Sequence, residues 1–227
     1  MGKLKSAIIL KDRVFIPDYD SHENMLKELG IDNTKENAER IFVRAELSPE
    51  NGDVFSDIDT WIFKIDQDIT PDWFVMEYDK KRMIEAVKSW AKYHIYVCVD
   101  GLFILTGNKF YIKDCTNVVF VGKSCVDAYG KSCVEVYGES SVTAHDNSYV
   151  VSMGYSCVTA CDNSVVVAWE ESSVDAHDRS SVIAREKSSV KAFGKSSVVA
   201  HDNSSVIACE NSSVMACDNA SVKTCDN

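Results

Sequence analysis

Residues 194–214 read GKSSVVAHDNSSVIACENSSV, and this stretch decides the fold of the C-terminal half of the chain. Within it, valine recurs every eight residues, and a serine precedes each valine by two positions. The same spacing continues outward in both directions without a missed register, and Phe110 takes the valine place one step before the first repeat. The repeated valines are Val118, Val126, Val134, Val142, Val150, Val158, Val166, Val174, Val182, Val190, Val198, Val206, Val214 and Val222.

The composition of the eight-residue unit, or octad, predicts a stacked β-structure. Serine, valine and alanine at a spacing of two residues lie on one face of a strand, since successive side chains point to opposite faces. The Asp-Asn, Gly-Lys and Glu-Asn pairs that follow are typical of turns, because Gly and Asn tolerate positive φ. One octad cannot bury its own face, whereas stacked octads can, and the pattern therefore predicts a β-solenoid.

The residue directly after each valine indicates how many octads form one coil. In alternate octads this position is mostly polar, and in the octads between them it is mostly apolar. The alternation predicts a coil of 16 residues with two octads and two faces, so that the 14 octads form seven coils. The polar series is Asp127, Thr143, Thr159, Asp175, Lys191, Ile207 and Lys223, and the apolar series is Val119, Glu135, Val151, Val167, Ile183, Val199 and Met215.

The region before the repeat has no period, and it holds all three prolines of the chain. We expect an α+β domain over residues 1–109, followed by an all-β parallel β-solenoid over residues 110–227. Hydrophobic alternation predicts strands at residues 6–10, 14–16, 41–47, 61–65, 95–99 and 102–105, with Asp100 and Gly101 as a hairpin turn. Capping signals predict helices that begin at Asp20 and at Thr70, and an apolar stripe predicts a helix over residues 79–93.

Composition and charge restrict the partners. The formal net charge is −11, so the chain is repelled by nucleic acid and by anionic membranes, and we expect no direct binding of DNA or RNA. No apolar run approaches the ~18 residues that span a bilayer. The apolar stretch near the start is short and is soon followed by charged residues, which is not typical of a signal peptide. We therefore expect a cytoplasmic protein whose nine cysteines are reduced, although the spacing of Cys209 and Cys225 would allow a disulfide.

The octads of residues 194–214 resemble the repeats of a known protein family. They are similar to octapeptide-repeat β-solenoid proteins of bacterial phages and mobile elements, and residues 61–66 (WIFKID) with residues 70–73 (TPDW) are similar to leaders of such proteins. The resemblance implies a solenoid architecture, and the family has no assigned chemistry. The shape is also similar to that of pentapeptide-repeat proteins, some of which mimic DNA.

The sequence gives little indication of catalysis. The sequence has none of the nucleotide-binding, zinc-protease or serine-hydrolase motifs, and we expect no enzyme activity, no cofactor and no metal. Asp57, Asp59, Asp66 and Asp68 form an acidic cluster that would suit a divalent cation, but solvated strand ends explain it more simply. His22 and His94 lack a paired nucleophile, and we interpret both as surface groups.

Three functions remain open. The first is a protein-binding inhibitor made by a mobile element against a host defence complex, as anti-CRISPR proteins are. The second is a self-associating scaffold, and the third is an enzyme in the N-terminal domain with the solenoid as a handle. Mimicry of duplex DNA along the whole repeat is disfavoured, because 14 carboxylates are mixed with 8 cations over a length that carries roughly 20 phosphates in DNA.

Two surfaces are predicted to bind partners, and one is predicted to dimerise. An apolar patch on one face and a row of carboxylates on one edge are expected to contact a protein, which could be a nucleic-acid-binding host complex. The last two coils are expected to form a homodimer, because nothing in the sequence caps them. The predicted partner-binding residues are Tyr149, Val151, Met153, Val165, Val167, Trp169, Glu170, Glu186, Asp202 and Asp218, and the predicted dimer residues are Val206, Val214, Val222 and Thr224.

Overall fold

The computed structural model describes residues 4–99, 102–107 and 109–225. The chain divides into two compact units, Met1–Ile95 and Tyr96–Asn227. The division falls before the predicted boundary at residues 109 and 110, because strands that we had placed in the N-terminal domain belong to the sheets of the solenoid.

The first unit is built on an antiparallel sheet, sheet A, whose strand order is β2-β1-β3-β4. One face of this sheet packs on short helices, and the apolar residues Ile8, Met25, Leu26 and Phe42 form the buried cluster between them. The strands are β1 (Lys5–Leu10), β2 (Val14–Phe15), β3 (Phe42–Ser48) and β4 (Ile62–Ile65), and the helices are α1 (His22–Glu28), α2 (Lys35–Arg40), α3 (Met76–Ala91) and a 3-10 turn (Ile58–Thr60).

The strands of sheet A fall where the alternation of the sequence places them, but the helix starts differ. The cap of α1 is Ser21, whose side chain accepts from Asn24, while the Asp20 carboxylate accepts from the Lys5 ammonium instead. Thr70 and Pro71 begin no helix, and α3 starts at Met76. The short helix α2 was not predicted, because its residues carry no apolar stripe.

The second unit is a parallel β-solenoid of about eight turns made of two sheets. Sheet B has nine strands in the order β21-β19-β17-β15-β13-β11-β9-β7-β5, and sheet C has eight in the order β20-β18-β16-β14-β12-β10-β8-β6. The strands are β5 (Ile95–Val97), β6 (Phe103–Leu105), β7 (Lys109–Lys113), β8 (Val118–Gly122), β9 (Cys125–Tyr129), β10 (Cys133–Gly138), β11 (Ser141–Ala144), β12 (Tyr149–Ser152), β13 (Cys157–Ala160), β14 (Val165–Ala168), β15 (Ser173–Ala176), β16 (Ser181–Ala184), β17 (Ser189–Ala192), β18 (Ser197–Ala200), β19 (Ser205–Ala208), β20 (Ser213–Ala216) and β21 (Ser221–Thr224).

The register confirms a coil of 16 residues. Val142 pairs with Val158 in sheet B, and Val150 pairs with Val166 in sheet C. The repeated serine, valine and alanine side chains point inward and are buried through most of the solenoid, as the octad predicts. The interior is therefore a continuous core of small side chains between two parallel sheets.

The solenoid begins one coil earlier than the valine register indicates. β5 and β6 lie in different sheets, so the predicted hairpin between them is wrong, and its Asp100 and Gly101 lie outside the described residues. Phe103 pairs with Val118, a spacing of 15 residues instead of 16. This first coil lacks the repeated valine and serine, which is why the period did not reveal it.

The turns also differ from the prediction in one respect. The left-handed backbone conformation falls on the fourth residue after each repeated valine from Val118 to Val214, and this residue is Asp, Glu or Gly, whereas the Asn that often follows is not in this conformation. Glu170, for example, has a φ of 57°. A side chain other than glycine is disfavoured in this conformation.

Among the described residues, no helix is long and apolar enough to cross a membrane.

Candidate functional site: a groove along one edge of the solenoid

The turns that join the two sheets stack into two edges. The turns after the strands of sheet B form one edge, named here the His145 edge, and the turns after the strands of sheet C form the other, named the Trp169 edge. The third residues after valine define them: Tyr129, His145, Cys161, His177, Phe193, Cys209 and Cys225 on the first, and Val121, Tyr137, Met153, Trp169, Arg185, His201 and Cys217 on the second.

A ladder of carboxylates runs along both edges and holds the turns together. In seven of these turns the backbone N–H of the left-handed residue donates to a carboxylate oxygen 16 residues further on, in the next coil. The Gly154 N–H lies 2.7 Å from Glu170 Oε2, and the Glu186 N–H lies 3.1 Å from Asp202 Oδ2. On the His145 edge, the Gly194 N–H lies 2.6 Å from Glu210 Oε2. Because these contacts join the turns of successive coils, the acidic edges have a structural role in the solenoid.

The Trp169 edge opens into a groove of about 750 Å³, named here the Trp169 groove. It extends over the turns that follow β12, β14, β16 and β18. Its lining combines two aromatic rings, four carboxylates and two cations, and the formal charge of these side chains is negative. The lining residues are Gly154, Tyr155, Trp169, Glu170, Glu171, Arg185, Glu186, Lys187, Asp202 and Asn203.

The centre of the groove is an aromatic side chain covered by a guanidinium. The Arg185 guanidinium lies 5.0 Å from the centre of the Trp169 ring, in the next coil, which is within the range of cation–π attraction. Tyr155 is 66% exposed at the groove wall, and Lys187 lies 4.0 Å from Glu171 at the limit of an ion pair. An exposed aromatic and charged cluster of this kind can hold a ligand by stacking and by charge.

Four of the predicted partner-binding residues line this groove, namely Trp169, Glu170, Glu186 and Asp202. The others do not meet there. Tyr149, Val151, Val165 and Val167 lie in β12 and β14, with Tyr149 exposed and the three valines half-buried, while Met153 and Asp218 lie elsewhere on the Trp169 edge. The predicted outward direction of the apolar patch agrees with this exposure.

Sequence reasoning missed Tyr155, Glu171, Arg185 and Lys187. A signal was present, since the fifth position after valine is Asn in several octads but Tyr155, Glu171 and Lys187 in three successive turns of this edge. These departures from the repeat mark the groove.

The His145 edge is closed by stacked side chains. The rings of Tyr129 and His145 lie 4.5 Å apart, and those of His177 and Phe193 lie 5.0 Å apart, both nearly parallel. Cys209 and Cys225 form a disulfide with their Cα atoms 4.9 Å apart, which corrects our preference for reduced thiols at this pair. Their equivalent places in successive coils bring the two sulfurs together.

Cys161 on the same edge is a poor candidate for a nucleophile. Burial raises the pKa of its thiol, and the carboxylates of Asp178 and Asp162 raise it further. The group stays protonated to a higher pH than an ordinary cysteine, and only the thiolate is strongly nucleophilic.

The predicted dimer residues become more exposed toward the last coil. Val206 is buried, Val214 is half-buried, Val222 is 41% exposed, and Thr224 is exposed. Asp226, which the repeat places on the opposite edge from Glu170, lies outside the described residues.

The four aspartates that were considered as a divalent-cation site do not converge on one point, in agreement with the simpler interpretation as solvated groups. Asp57 caps the 3-10 turn, and Asp59 pairs with Lys88. The interpretation of the two histidines as surface groups is wrong. The His22 side chain is 11% exposed and faces Asp66, and the His94 side chain is 13% exposed and pairs with Asp18.

Comparison of the chain with protein-family models, with curated proteins and with solved structures finds no match.

Proposed function

We propose that this chain is a macromolecular interaction protein in which the Trp169 groove binds a basic segment of a partner protein. The observation that carries the proposal is the position of Trp169, which lies in a groove between carboxylates and already accepts a guanidinium on its face.

The charge of the groove favours a cationic ligand. Glu170, Glu171, Glu186 and Asp202 outnumber Arg185 and Lys187 among the lining side chains. Phosphate groups of a nucleic acid would be repelled by this excess, whereas arginine or lysine side chains would be attracted.

The carboxylates keep the capacity to bind a ligand although they hold the turns. Glu170 and Asp202 each use one oxygen to accept a backbone N–H, and an ionised carboxylate has a second oxygen with further acceptor sites. Both side chains are exposed, so an incoming guanidinium can reach that second oxygen.

The outer face of sheet C can extend the contact. Tyr149, Val151 and Val167 supply a partly exposed apolar surface on strands that lead directly into the groove. Interfaces commonly combine such an apolar area with an aromatic anchor. Inhibition of a nucleic-acid-binding defence complex, the first of the three functions left open by the sequence, is compatible with this proposal, because such complexes present basic surfaces.

The proposal can be tested by calorimetric titration of the full chain with an octa-arginine peptide, with an octa-glutamate peptide as reference. We expect Trp169→Ala and the double variant Glu170→Gln/Asp202→Asn to weaken binding of the basic peptide. The expected loss for the double variant is about two- to thirtyfold, since each of the two exposed ion pairs contributes roughly 0.2–1 kcal/mol.

The matched control is Asp162→Asn/Glu210→Gln on the His145 edge. These two carboxylates accept hydrogen bonds from the equivalent turn N–H groups of the other edge and carry the same charge, but they lie outside the groove. Binding that survives in the control and weakens in the groove variant supports the proposal. An equal loss in both would show attraction to acidic surface in general and would contradict it.

As a second candidate, we propose self-association through the last two coils. Two observations support this candidate. β20 and β21 are edge strands of their sheets, and Met215 is 63% exposed on the solvent face of β20. The Ser221 N–H donates to the Ser204 carbonyl, directly before β19. The N–H groups of the alternate residues Val222 and Thr224 therefore face away from the sheet. Replacement of Val222 and Thr224 by proline would remove these outward donors and should convert a homodimer into a monomer, as measured by light scattering. A monomer mass for the unaltered chain at tens of micromolar would refute the dimer.

A further inference from the structure

Three metal-ligating side chains from three different elements meet in the first unit. They are His22 at the start of α1, Glu46 in β3 and Asp66 directly after β4, and one ligand atom of each lies within 4.8 Å of the others. The antiparallel pairing of β3 with β4 brings the two carboxylates together, since Ala45 is opposite Ile65. The backbone N–H of Asp66 also donates to the Arg44 carbonyl, which fixes the end of β4.

The histidine ring is oriented as metal-binding histidines are. Its Nε2 lies 3.1 Å from the Ala45 carbonyl oxygen, and its Nδ1 lies 3.1 Å from Asp66 Oδ2. A ring N–H that donates to a backbone carbonyl fixes the tautomer and leaves the other nitrogen to coordinate a cation. Because the His22 side chain is only 11% exposed, the ring cannot easily turn away.

The two carboxylates have too little positive charge around them. Among the residues that the structure describes, Glu46 forms no ion pair, although Lys64 is its direct neighbour across the sheet. Asp66 pairs with no lysine or arginine in the same described part of the chain, and the one ion pair that it forms there is with His22. Two carboxylates within a few ångströms repel each other unless a cation or a proton lies between them.

We propose that His22, Glu46 and Asp66 bind one divalent transition-metal cation of the Mn²⁺ or Zn²⁺ type. One imidazole nitrogen with two carboxylate oxygens suits these ions, whereas Ca²⁺ takes oxygen ligands. The 3.1 Å between the His22 nitrogen and the Asp66 oxygen matches the separation of roughly 3.0–3.4 Å between neighbouring ligands that each lie ~2.1 Å from a metal.

The site would have three protein ligands and an open side. Asp66 is exposed, so water can complete the coordination, as in sites where a metal acts on a bound ligand. The cation would also connect α1 to sheet A, so that its binding stabilises the first unit. This inference is independent of the Trp169 groove and assigns a separate site.

The test is a titration of chelator-treated full-length protein with Mn²⁺, followed by the electron paramagnetic resonance signal of the free ion. Mn²⁺ is the probe because thiolates compete for it weakly, so that the cysteines of the solenoid do not interfere. We expect one saturable site per chain, a higher unfolding temperature with the ion, and at least tenfold weaker binding in the double variant Glu46→Gln/Asp66→Asn. His22→Gln should weaken binding as well.

The control is Asp57→Asn/Asp68→Asn, which removes the same charge from the same unit without touching the three ligands. Asparagine is also a good helix cap, so the 3-10 turn that Asp57 begins should persist. Full binding in this control with loss in the Glu46/Asp66 variant supports the site. Absence of saturable binding to the unaltered chain, or equal loss in both double variants, would overturn it.

Discussion

The two edges of the solenoid share one backbone but differ in what they present to solvent. On the His145 edge, rings stack on rings, as Tyr129 does on His145, and the turns are closed. On the Trp169 edge, the turns of four successive coils leave a groove around Trp169 and Arg185. Both edges use the same hydrogen bond from a left-handed turn residue to a carboxylate in the next coil.

This difference separates the positions that build the coil from those that give it a binding surface. The inward serine, valine and alanine and the left-handed Asp, Glu or Gly are common to both edges. The third and fifth positions after valine vary, and the groove occurs where they hold Trp169, Arg185, Tyr155, Glu171 and Lys187. The regular residues therefore make the scaffold, and the exceptions make the candidate site.

The largest expected effect comes from breaking the scaffold that both edges share. Ala176 is fully buried and is in register with Ala160 and Ala192, so Ala176→Leu would force a large side chain into a thin core. We expect the free energy of unfolding, measured by urea denaturation, to fall by about 1–3 kcal/mol or more.

Asp175→Leu is the matched control, because it introduces the same side chain one residue earlier on the outer face. We expect a change within about 0.5 kcal/mol, as for most surface substitutions. Similar losses at the two positions would show that the inward and outward faces are assigned wrongly.

Removal of a turn carboxylate should lower the free energy of unfolding by a smaller amount, and the loss should be equal on the two edges. Glu170→Ala and Glu210→Ala each remove an acceptor from a glycine N–H, at 2.7 Å and 2.6 Å. We expect each to lower the free energy of unfolding by about 1 kcal/mol or less, since these bonds are exposed to solvent. The glutamine variants keep the acceptor oxygen and should stay near the unaltered chain. A glutamine variant as unstable as the alanine variant would exclude the hydrogen bond as the cause.

The regular part of the solenoid could be predicted because small side chains at fixed spacing allow only one inward face. The register of Val150 with Val166 and the burial of the repeated serines follow from that pattern alone. The turn ladder could not be predicted, because a pattern gives the residue type but not the bond that a carboxylate such as Glu170 makes with another coil. The coil containing Phe103 was missed because its spacing and residues depart from the repeat.

The site was predictable only in part. Trp169 was predicted to be an outward aromatic residue. Arg185 contacts Trp169 only because successive coils stack, and its own position in the sequence gives no indication of this contact. In the first unit, His22, Glu46 and Asp66 are far apart in the chain, and only the pairing of the strands and the packing of α1 bring them together.

The smallest expected effect is a difference in reaction rate between Cys157 and Cys161, which lie before the valine and at the turn of the same octad. Cys157 precedes its valine and is exposed, whereas Cys161 lies at the turn, where burial raises the pKa of the thiol. A raised pKa leaves less thiolate at a given pH, so Cys161 should react with iodoacetamide several-fold more slowly than Cys157 at pH 8, and its rate should rise only at higher pH. Peptide mass spectrometry over a time course gives both rates, and a faster Cys161 would contradict the assignment of the closed edge.

The most direct test of the central claim, that the Trp169 groove is the binding site, is fluorine NMR of the chain labelled with 5-fluorotryptophan. The chain has four tryptophans, of which Trp61, Trp73 and Trp90 lie in the first unit and Trp169 lies in the solenoid. Trp169→Phe assigns the groove resonance. On addition of octa-arginine, the account predicts that this resonance alone shifts and that Glu170→Gln/Asp202→Asn reduces the shift. A titration in which the Trp169 resonance stays unchanged while another tryptophan moves would contradict the account.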